Sequence, residues 1–519
     1  MLQAYINAKI RNTKDTAFLV RDSYIIQTGS DEEILQEVTD EDEVIDLAGA
    51  FVTPGFVDTH MHLLGYGMYL DSIRLDDARS IEDIQAKVRR HVNDSERTWI
   101  TAYGYNEDRF TLPAKPTKQM LDDISRDKPI VLMRSCGHVM TVNSKALELA
   151  GITENTEIPG GAVDYEHGIF EENAMTMITA LSEEPDRNTL RRWAVKAMKQ
   201  LNRYGITMVG SDDFIALGRD WKTVTDILMQ MSYRDELTVR ISEQCEFNTP
   251  EDLAEFLDEG YTTGVGDDMF RIGPLKMIAD GSLGAGTAAL RDGYLDDPEN
   301  HGILIHDDDT LDTFIGLANR YNMPAITHAI GDEALDQVLR VYEEYVLPGN
   351  PLHYGIVHCQ IMREDQIEKV KEMNLDAYFQ SLFIEDDASI LKTKVIPDTA
   401  GTSYPFASLY HSVLAGNGSD APVTEPDVMK GIALAVSRRS SAGVYLRPEE
   451  ALTVSEALSS WCENGVRMLG WEEETGVIEA GRLADFAVLD QDIEQLSPEE
   501  IVKTKVLMTV VGGKVVYGG

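Results

Sequence analysis

The stretch Thr53-Pro54-Gly55-Phe56-Val57-Asp58-Thr59-His60-Met61-His62 decides how the rest of the chain is read. Apolar residues lead into two histidines one residue apart. Side chains two apart on a strand project from the same face, so His60 and His62 can converge on one ion while Met61 points away. Imidazole suits zinc, iron, nickel or manganese better than calcium or magnesium. Taken alone, the pair reads equally well as two ordinary histidines near a strand end, because short motifs also match by chance. The remaining sequence has to separate the two.

At 519 residues the chain is long enough for a large α/β barrel with an accessory domain. Hydrophobic residues at 43% and aromatics at 8% exclude a disordered or collagen-like chain. No apolar run approaches bilayer-spanning length. The first ten residues lack the basic start and apolar middle of a signal peptide, so a cytoplasmic enzyme is expected. Cys136, Cys245, Cys359 and Cys462 are far apart, which disfavours both a disulfide framework and a zinc knuckle. Cys359 follows a candidate ligand and reads as packing. The formal charge of −43 argues against nucleic acid, whose phosphates need Lys and Arg, and against anionic membranes. Solubility accounts for such a charge; adaptation to high salt is the sharper reading. A small-molecule substrate and a second copy of the chain, as a homodimer, are the expected partners.

Both ends differ from the middle. Residues 3–27 and 476–517 alternate apolar and polar residues between turn signals, the pattern of antiparallel strands. The expected organisation is a composite small β domain from 1–50 and 476–519, a β-sandwich built from both termini, around a barrel at 51–475. Between the ends, helix-period stretches alternate with buried-strand runs. Eight strands are expected: Phe51–His60, Ile206–Ser211, Thr238–Phe247, Arg271–Ala279, Met323–His328, Tyr354–Cys359, Leu375–Gln380 and Val413–Ser419. Helices at 308–321, 333–346, 363–373 and 425–438 separate the later ones. Eight such strands close a (β/α)₈ TIM barrel, an α/β fold. An open doubly wound sheet is the alternative, but no Gly-x-Gly-x-x-Gly follows the first strand. More than a hundred residues separate the first two strands, far beyond an ordinary connection. Residues 65–190 therefore read as an insertion, or lid, on the barrel's C-terminal rim. It should hold a helix at 80–92, strands near 98–104 and 129–135, and a helix over 144–150.

Polar residues then fall at matching strand ends. His60 and His62 end the first strand and Lys276 lies in the fourth. His328 ends the fifth, His358 the sixth and Asp420 the eighth. In a barrel all six meet at one mouth, the face where barrel enzymes place their active sites. A lone core histidine is usually only a hydrogen-bonded one; this many at one rim is a site.

These motifs resemble the amidohydrolase superfamily and, within it, the YtcJ-like branch that includes N-substituted formamide deformylase. The resemblance runs from Val52–His62 through Gly137-His138-Val139-Met140-Thr141-Val142-Asn143-Ser144, Lys276-Met277-Ile278-Ala279-Asp280-Gly281-Ser282 and His328-Ala329-Ile330-Gly331-Asp332. It continues in Gly418-Ser419-Asp420-Ala421-Pro422-Val423 and ends in the C-terminal Gly481-Arg482-Leu483-Ala484-Asp485-Phe486. It implies one or two divalent metal ions, zinc foremost. His60 and His62 would bind one, His328 and His358 the other, with carboxylated Lys276 between them. A lysine buried beside metals has a depressed pKa, which frees its amine for carbon dioxide; the alternative is unmodified Lys276 paired with an acid such as Asp280. Asp420 is the expected catalytic residue, both metal ligand and proton acceptor for a metal-activated hydroxide.

The implied activity is metal-dependent hydrolysis of a non-peptide C–N bond of amide or N-formyl type. A deaminase of the same superfamily and a non-catalytic scaffold are the alternatives. His138, Arg109 and Tyr105 are the candidate substrate-binding residues. Asp332 is expected to cap the helix after the fifth strand, and Asp280 to orient a neighbour. Two departures stand out: Val357 replaces the Glu that relatives often place before the sixth-strand histidine, and Phe110 stands where relatives usually carry Trp.

Overall fold

Gly55 divides the opening stretch between two sheets. In the computed structural model, which describes residues 2–94, 99–112, 114–158, 160–179, 181, 185–215 and 220–518, Phe51–Pro54 and Phe56–Met61 are separate strands. The sequence read them as one. A Cβ on Gly55 would sit 2.1 Å from Thr207 Oγ1, so only glycine lets the neighbouring strand approach this closely.

The eight barrel strands are β1 (Phe56–Met61), β2 (Ile206–Ser211), β3 (Arg240–Cys245), β4 (Phe270–Ile278), β5 (Ala325–Ala329), β6 (Gly355–His358), β7 (Asp376–Phe379) and β8 (Ala415–Asn417). They pair in sequence order, all parallel, as a single sheet. Each expected strand is present: β2 matches to the residue, the other ends shift by one or two residues, and the first loses residues 51–54 to the other sheet.

The seam between β8 and β1 carries no ladder. Residues just past the strand ends hold it instead. Asp420 N donates to the His60 carbonyl at 2.8 Å, and His62 N to the Ala421 carbonyl at 2.8 Å. The buried Asp58 carboxylate accepts from Ser419 N at 2.9 Å and Ser419 Oγ at 2.5 Å. Closure thus draws His60, His62 and Asp420, at its two edges, together.

Amphipathic helices cover the barrel, including Asp308–Asn319, Asp332–Tyr342, Glu364–Met373 and Val428–Ser437. Asp307 and Asp427 cap two of them through their side chains. Asp332 does not cap its helix. Gly331 holds the N-cap position, and the Asp332 carboxylate instead accepts from Arg291 N at 3.1 Å and Arg363 Nη1 at 2.8 Å.

Strands from both termini form two smaller sheets. One orders Tyr24–Gly29, Ala17–Arg21, Leu2–Ile6 and Glu43–Asp46; the other orders Lys9–Ile10, Phe51–Pro54, Phe486–Leu489, Val506–Val511 and Lys514–Gly518. Their inner faces share one apolar core, in which Tyr5, Phe18 and Phe486 meet with ring centroids 5.0 Å apart. Stacked rings and edge contacts of this kind bury large areas in a small domain.

Between β1 and β2 the chain builds a six-stranded mixed sheet. Its order is Gly161–Asp164, Ile169–Glu172, Val139–Val142, Ile130–Arg134, Ile100–Tyr105 and Ile73–Arg74. The helix Ser144–Ala150 falls where the sequence put it, and Ile81–Asp94 lies within a residue or two of expectation. The hairpin of Gly161–Asp164 and Ile169–Glu172, the strand Val139–Val142 and the short Ile73–Arg74 went unread. Among the described residues no helix is long and apolar enough to cross a membrane.

Candidate metal centre

Four histidines and Asp420 converge at the C-terminal mouth of the barrel. His60 Nε2 and His62 Nε2 lie 3.5 and 3.3 Å from Asp420 Oδ1. Among the described residues these three form a group whose ligand atoms all lie within 4.8 Å of one another. On the opposite side, His358 Nε2 lies 2.9 Å from His328 Nδ1. The rings of His60 and His358 connect the two pairs at 6.0 Å between centroids. Asp420 and His358 adopt φ of 56° and 86°. Positive φ in non-glycine residues costs energy and persists where the surroundings impose it.

What fixes each imidazole is a partner that the sequence did not single out. Gln244 donates its amide to the Thr59 carbonyl at 2.9 Å, which turns Oε1 toward His60 Nδ1 at 2.6 Å. His62 Nδ1 faces the Asp212 carbonyl at 2.7 Å. His358 Nδ1 meets Gln380 Oε1 at 2.8 Å. His328 Nε2 faces the Gly281 carbonyl at 3.1 Å, with Asp280 Oδ1 at 3.4 Å. An oxygen that only accepts holds the ring proton on the nitrogen it faces, leaving the other nitrogen's lone pair toward the centre. Two such lone pairs, on His328 and His358, therefore confront each other. A cation resolves that conflict.

Electrostatics around Asp420 point the same way. Burial, with Lys276 nearby, pushes His60 down to about 3, a neutral ligand at any physiological pH. Burial also opposes charge on His62, but the Asp420 hydrogen bond and the Asp212 charge outweigh it and lift His62 to about 9. Burial pulls against ionisation of Asp420 too, yet the surrounding histidines hold its carboxyl well below the usual range. The donor set of imidazole nitrogens and one carboxylate fits a divalent transition ion.

Lys276 is buried on β4 and its Nζ lies 3.5 Å from Asp212 Oδ2. Its acidic partner is thus Asp212 rather than Asp280. Asp280 has the orienting duty expected of it: it accepts from the backbone N–H of Ala289, Ile330 and Gly331 while flanking His328. Val357 packs with Ile326, Tyr378 and Met468, and Gln380 supplies the polar support of His358. Cys359 is buried, with Sγ against the Ile356 carbonyl.

The insertion brings His138 to the same mouth. Its ring lies 5.4 Å from that of His328, and Nδ1 meets Glu172 Oε2 at 2.7 Å. Glu172 is held in turn by Thr287 Oγ1 at 2.8 Å. Burial disfavours charge on His138, but Glu172 dominates and raises it to about 9. Arg109 sits at the rim, paired with Asp386.

Tyr105 is not brought to the site. It lies in the insertion's own core with Phe110, its hydroxyl on Thr141 at 3.2 Å. A bulge at Gly104, whose φ is +98°, interrupts the alternation. Tyr103 consequently faces the barrel core, and Tyr105 turns away.

Residues 43–517 match the Amidohydrolase family. The chain belongs to that family.

Among its similar proteins is the YtcJ amidohydrolase of Bacillus subtilis (strain 168), 30% identical over 96% of both chains. The N-substituted formamide deformylase of Arthrobacter pascens is 24% identical over 99% of this chain and 97% of its own. A solved metal-dependent hydrolase from Pyrococcus horikoshii superposes with a TM-score of 0.79 at 26% identity, covering 96% of this chain and 99% of that one. As an amidohydrolase-family protein, this chain is a metal-dependent hydrolase. The orienting residues Gln244, Asp212 and Gln380 carry one faint sequence signal: polar residues at or just past the C-terminal ends of barrel strands.

Proposed function

We propose that this protein hydrolyses a non-peptide C–N bond of amide or N-formyl type. One observation carries the reading: His60, His62 and Asp420 aim three ligand atoms at one point while their partners fix the histidine tautomers. Similarity to a formamide deformylase over nearly the whole length favours N-formyl compounds as the first substrates to try.

His60, His62 and Asp420 would hold one ion, zinc in this proposal, and His328 with His358 would hold a second. Lys276, buried and close enough to act electrostatically on His60, His62 and His358 alike, would supply a further ligand oxygen once carboxylated. A divalent ion bound here supplies Lewis acidity and lowers the pKa of water from about 15.7 to about 7. Asp420, kept ionised, accepts a proton from the attacking water and passes it to the departing nitrogen. His138, fixed through Nδ1 by Glu172, presents Nε2 to the substrate carbonyl as a hydrogen-bond donor and orients it.

Metal analysis coupled to a release screen over amides, formamides and cyclic ureas tests the proposal. Formate or a carboxylate together with an amine is the expected product set. Ammonia released from a ring carbon alone would favour a deaminase, and an inert, metal-free protein would favour a scaffold.

A further inference from the structure

A second feature bears on what the substrate looks like beyond its scissile bond. Just outside the histidine ring lies a small cavity of about 70 Å³, partly open to solvent. Its walls begin a few residues past the ligand strands. Ile330 lies two beyond His328, Gln360 two beyond His358, and Val423 three beyond Asp420. The floor is apolar there, since the Phe383 ring lies nearly parallel to His358 at 5.8 Å between centroids. Leu283, Ile330 and Val423 extend that surface.

Farther out the walls turn acidic, with Asp108, Asp386 and Asp387. Two of these acids already have cations. Arg109 gives Nε and Nη2 to Asp386 at 3.1 and 2.6 Å. Arg134 gives Nη2 to Asp108 at 2.7 Å and Nε to Glu107 at 2.9 Å. Asp387 differs. Its hydrogen bonds come from neutral donors, Tyr404 Oη at 2.6 Å and Gln360 Nε2 at 3.0 Å, both onto Oδ2. Burial, aided by Asp386 and Asp108, pushes its carboxyl up to about 7 against the pull of Tyr404 and Arg134.

A second, independent observation lies beside it. Gln360 is 3% exposed, and its amide N–H groups go to Asp387 and Tyr404. Its Oε1 has no donor among the described residues. A buried acceptor without a donor is costly, and so is a half-buried carboxylate with no cation bonded to it. Both costs fall when one ligand group brings N–H donors and positive charge.

We propose that this cavity recognises the remote end of the substrate and takes a protonated nitrogen there, an ammonium or amidinium. Its N–H groups donate to Asp387 and Gln360 Oε1, while the intervening carbon skeleton lies on Phe383, Leu283 and Ile330. The substrate class is then an N-acyl or N-formyl compound bearing a second, cationic nitrogen. This inference rests on the C–N hydrolase reading for its chemistry and on the cavity alone for its charge preference.

The test compares matched probes on the zinc-loaded protein: N-formyl-1,5-diaminopentane, N-formylhexylamine, in which methyl replaces ammonium, and N-formyl-6-aminohexanoate. Expected is a kcat/KM for the cationic probe about tenfold or more above the neutral one, with the anionic probe lowest. Asp387→Asn should collapse the cation-to-neutral ratio toward one. Should that variant fail to fold, Gln360→Glu asks the same question with opposite sign, and the ratio should rise. Equal rates for the cationic and neutral probes, or a ratio that neither variant moves, would overturn the proposal. Calorimetry with N-acetyl-1,5-diaminopentane against N-hexylacetamide separates the two readings. Cation-selective binding without turnover of any probe would sink amide hydrolysis and keep the subsite. Turnover without selectivity would sink the subsite alone, as would no binding of either acetamide.

Discussion

Gln244 Oε1 lies 2.6 Å from Nδ1 of His60, and the Thr59 carbonyl dictates which way that amide faces. The contact joins residues 184 apart in sequence and makes the imidazole a one-way ligand. Gln244→Leu removes the acceptor and leaves the His60 N–H and the Thr59 carbonyl without partners. We expect metal affinity to fall about 10- to 100-fold, the usual loss when a supporting hydrogen bond is removed. Competition against a chromophoric chelator measures it. Unchanged affinity would mean that the Nε2 lone pair is presented without Gln244.

Metal uptake should release a proton. Metal-free His62 is lifted to about 9 by Asp420 and Asp212 against the opposing effect of burial, so it carries both ring protons at pH 7. Ligation requires the lone pair on Nε2. Affinity should therefore rise roughly tenfold per pH unit while pH stays below about 9, and then level. Calorimetry in buffers of different ionisation enthalpy reads the proton count directly. Uptake with no proton released at pH 7 would show that His62 is already neutral.

Asp420→Asn separates holding an ion from handling a proton. The amide oxygen can still face the metal, but it is a poor proton acceptor and cannot balance His62. Metal content should remain partial while turnover falls on the order of 10²- to 10⁴-fold, the range of general acid–base effects. A rate close to wild type would remove Asp420 from proton transfer.

Much of the barrel was readable because its strands are short apolar runs bounded by helix-period segments. β2 was predicted to the residue. The candidate ligands His60, His328, His358 and Asp420 stood out because each falls at or just past the end of such a run. The break at Gly55 was not readable, since residues 51–60 read as one strand and the reason for glycine is the side chain of Thr207, far away in sequence. Tyr105 was misplaced because nothing local announces the Gly104 bulge. Asp332 looked like a cap from its position, but Arg363 and the Arg291 backbone draw its carboxylate elsewhere. Gln244 and Gln380 acquire meaning only when neighbouring strands bring histidines beside them.

A buried ion pair helps tie the barrel to the terminal sheets. Arg240, at the start of β3, gives Nε and Nη2 to the two oxygens of Asp485 at 2.7 and 2.9 Å, with both side chains 2% exposed. Asp485 also accepts from Gly512 N and Thr475 Oγ1. Asp485→Ala strands a buried guanidinium and should cost about 3–5 kcal/mol. Replacing both partners with apolar residues should cost less than that single change. Denaturant unfolding of the single and double variants decides it; a double variant as unstable as Asp485→Ala would show that packing at this junction matters more than charge.

Acidic groups outnumber basic ones 89 to 46 across the sequence, so basic side chains are shared. Lys222 serves both Glu255 and Glu259, and Arg363 serves Asp332, Asp336 and Asp365. The remaining carboxylates repel one another, and a large net charge destabilises the compact state. Raising ionic strength from about 0.1 to about 1 M shortens the screening length from about 10 to about 3 Å. That change weakens the summed long-range repulsion more than it weakens contacts as close as those of Arg363. The melting temperature should therefore climb with potassium chloride over this range. A flat or falling series would show that local pairing already offsets the excess charge and would remove high-salt adaptation as its explanation.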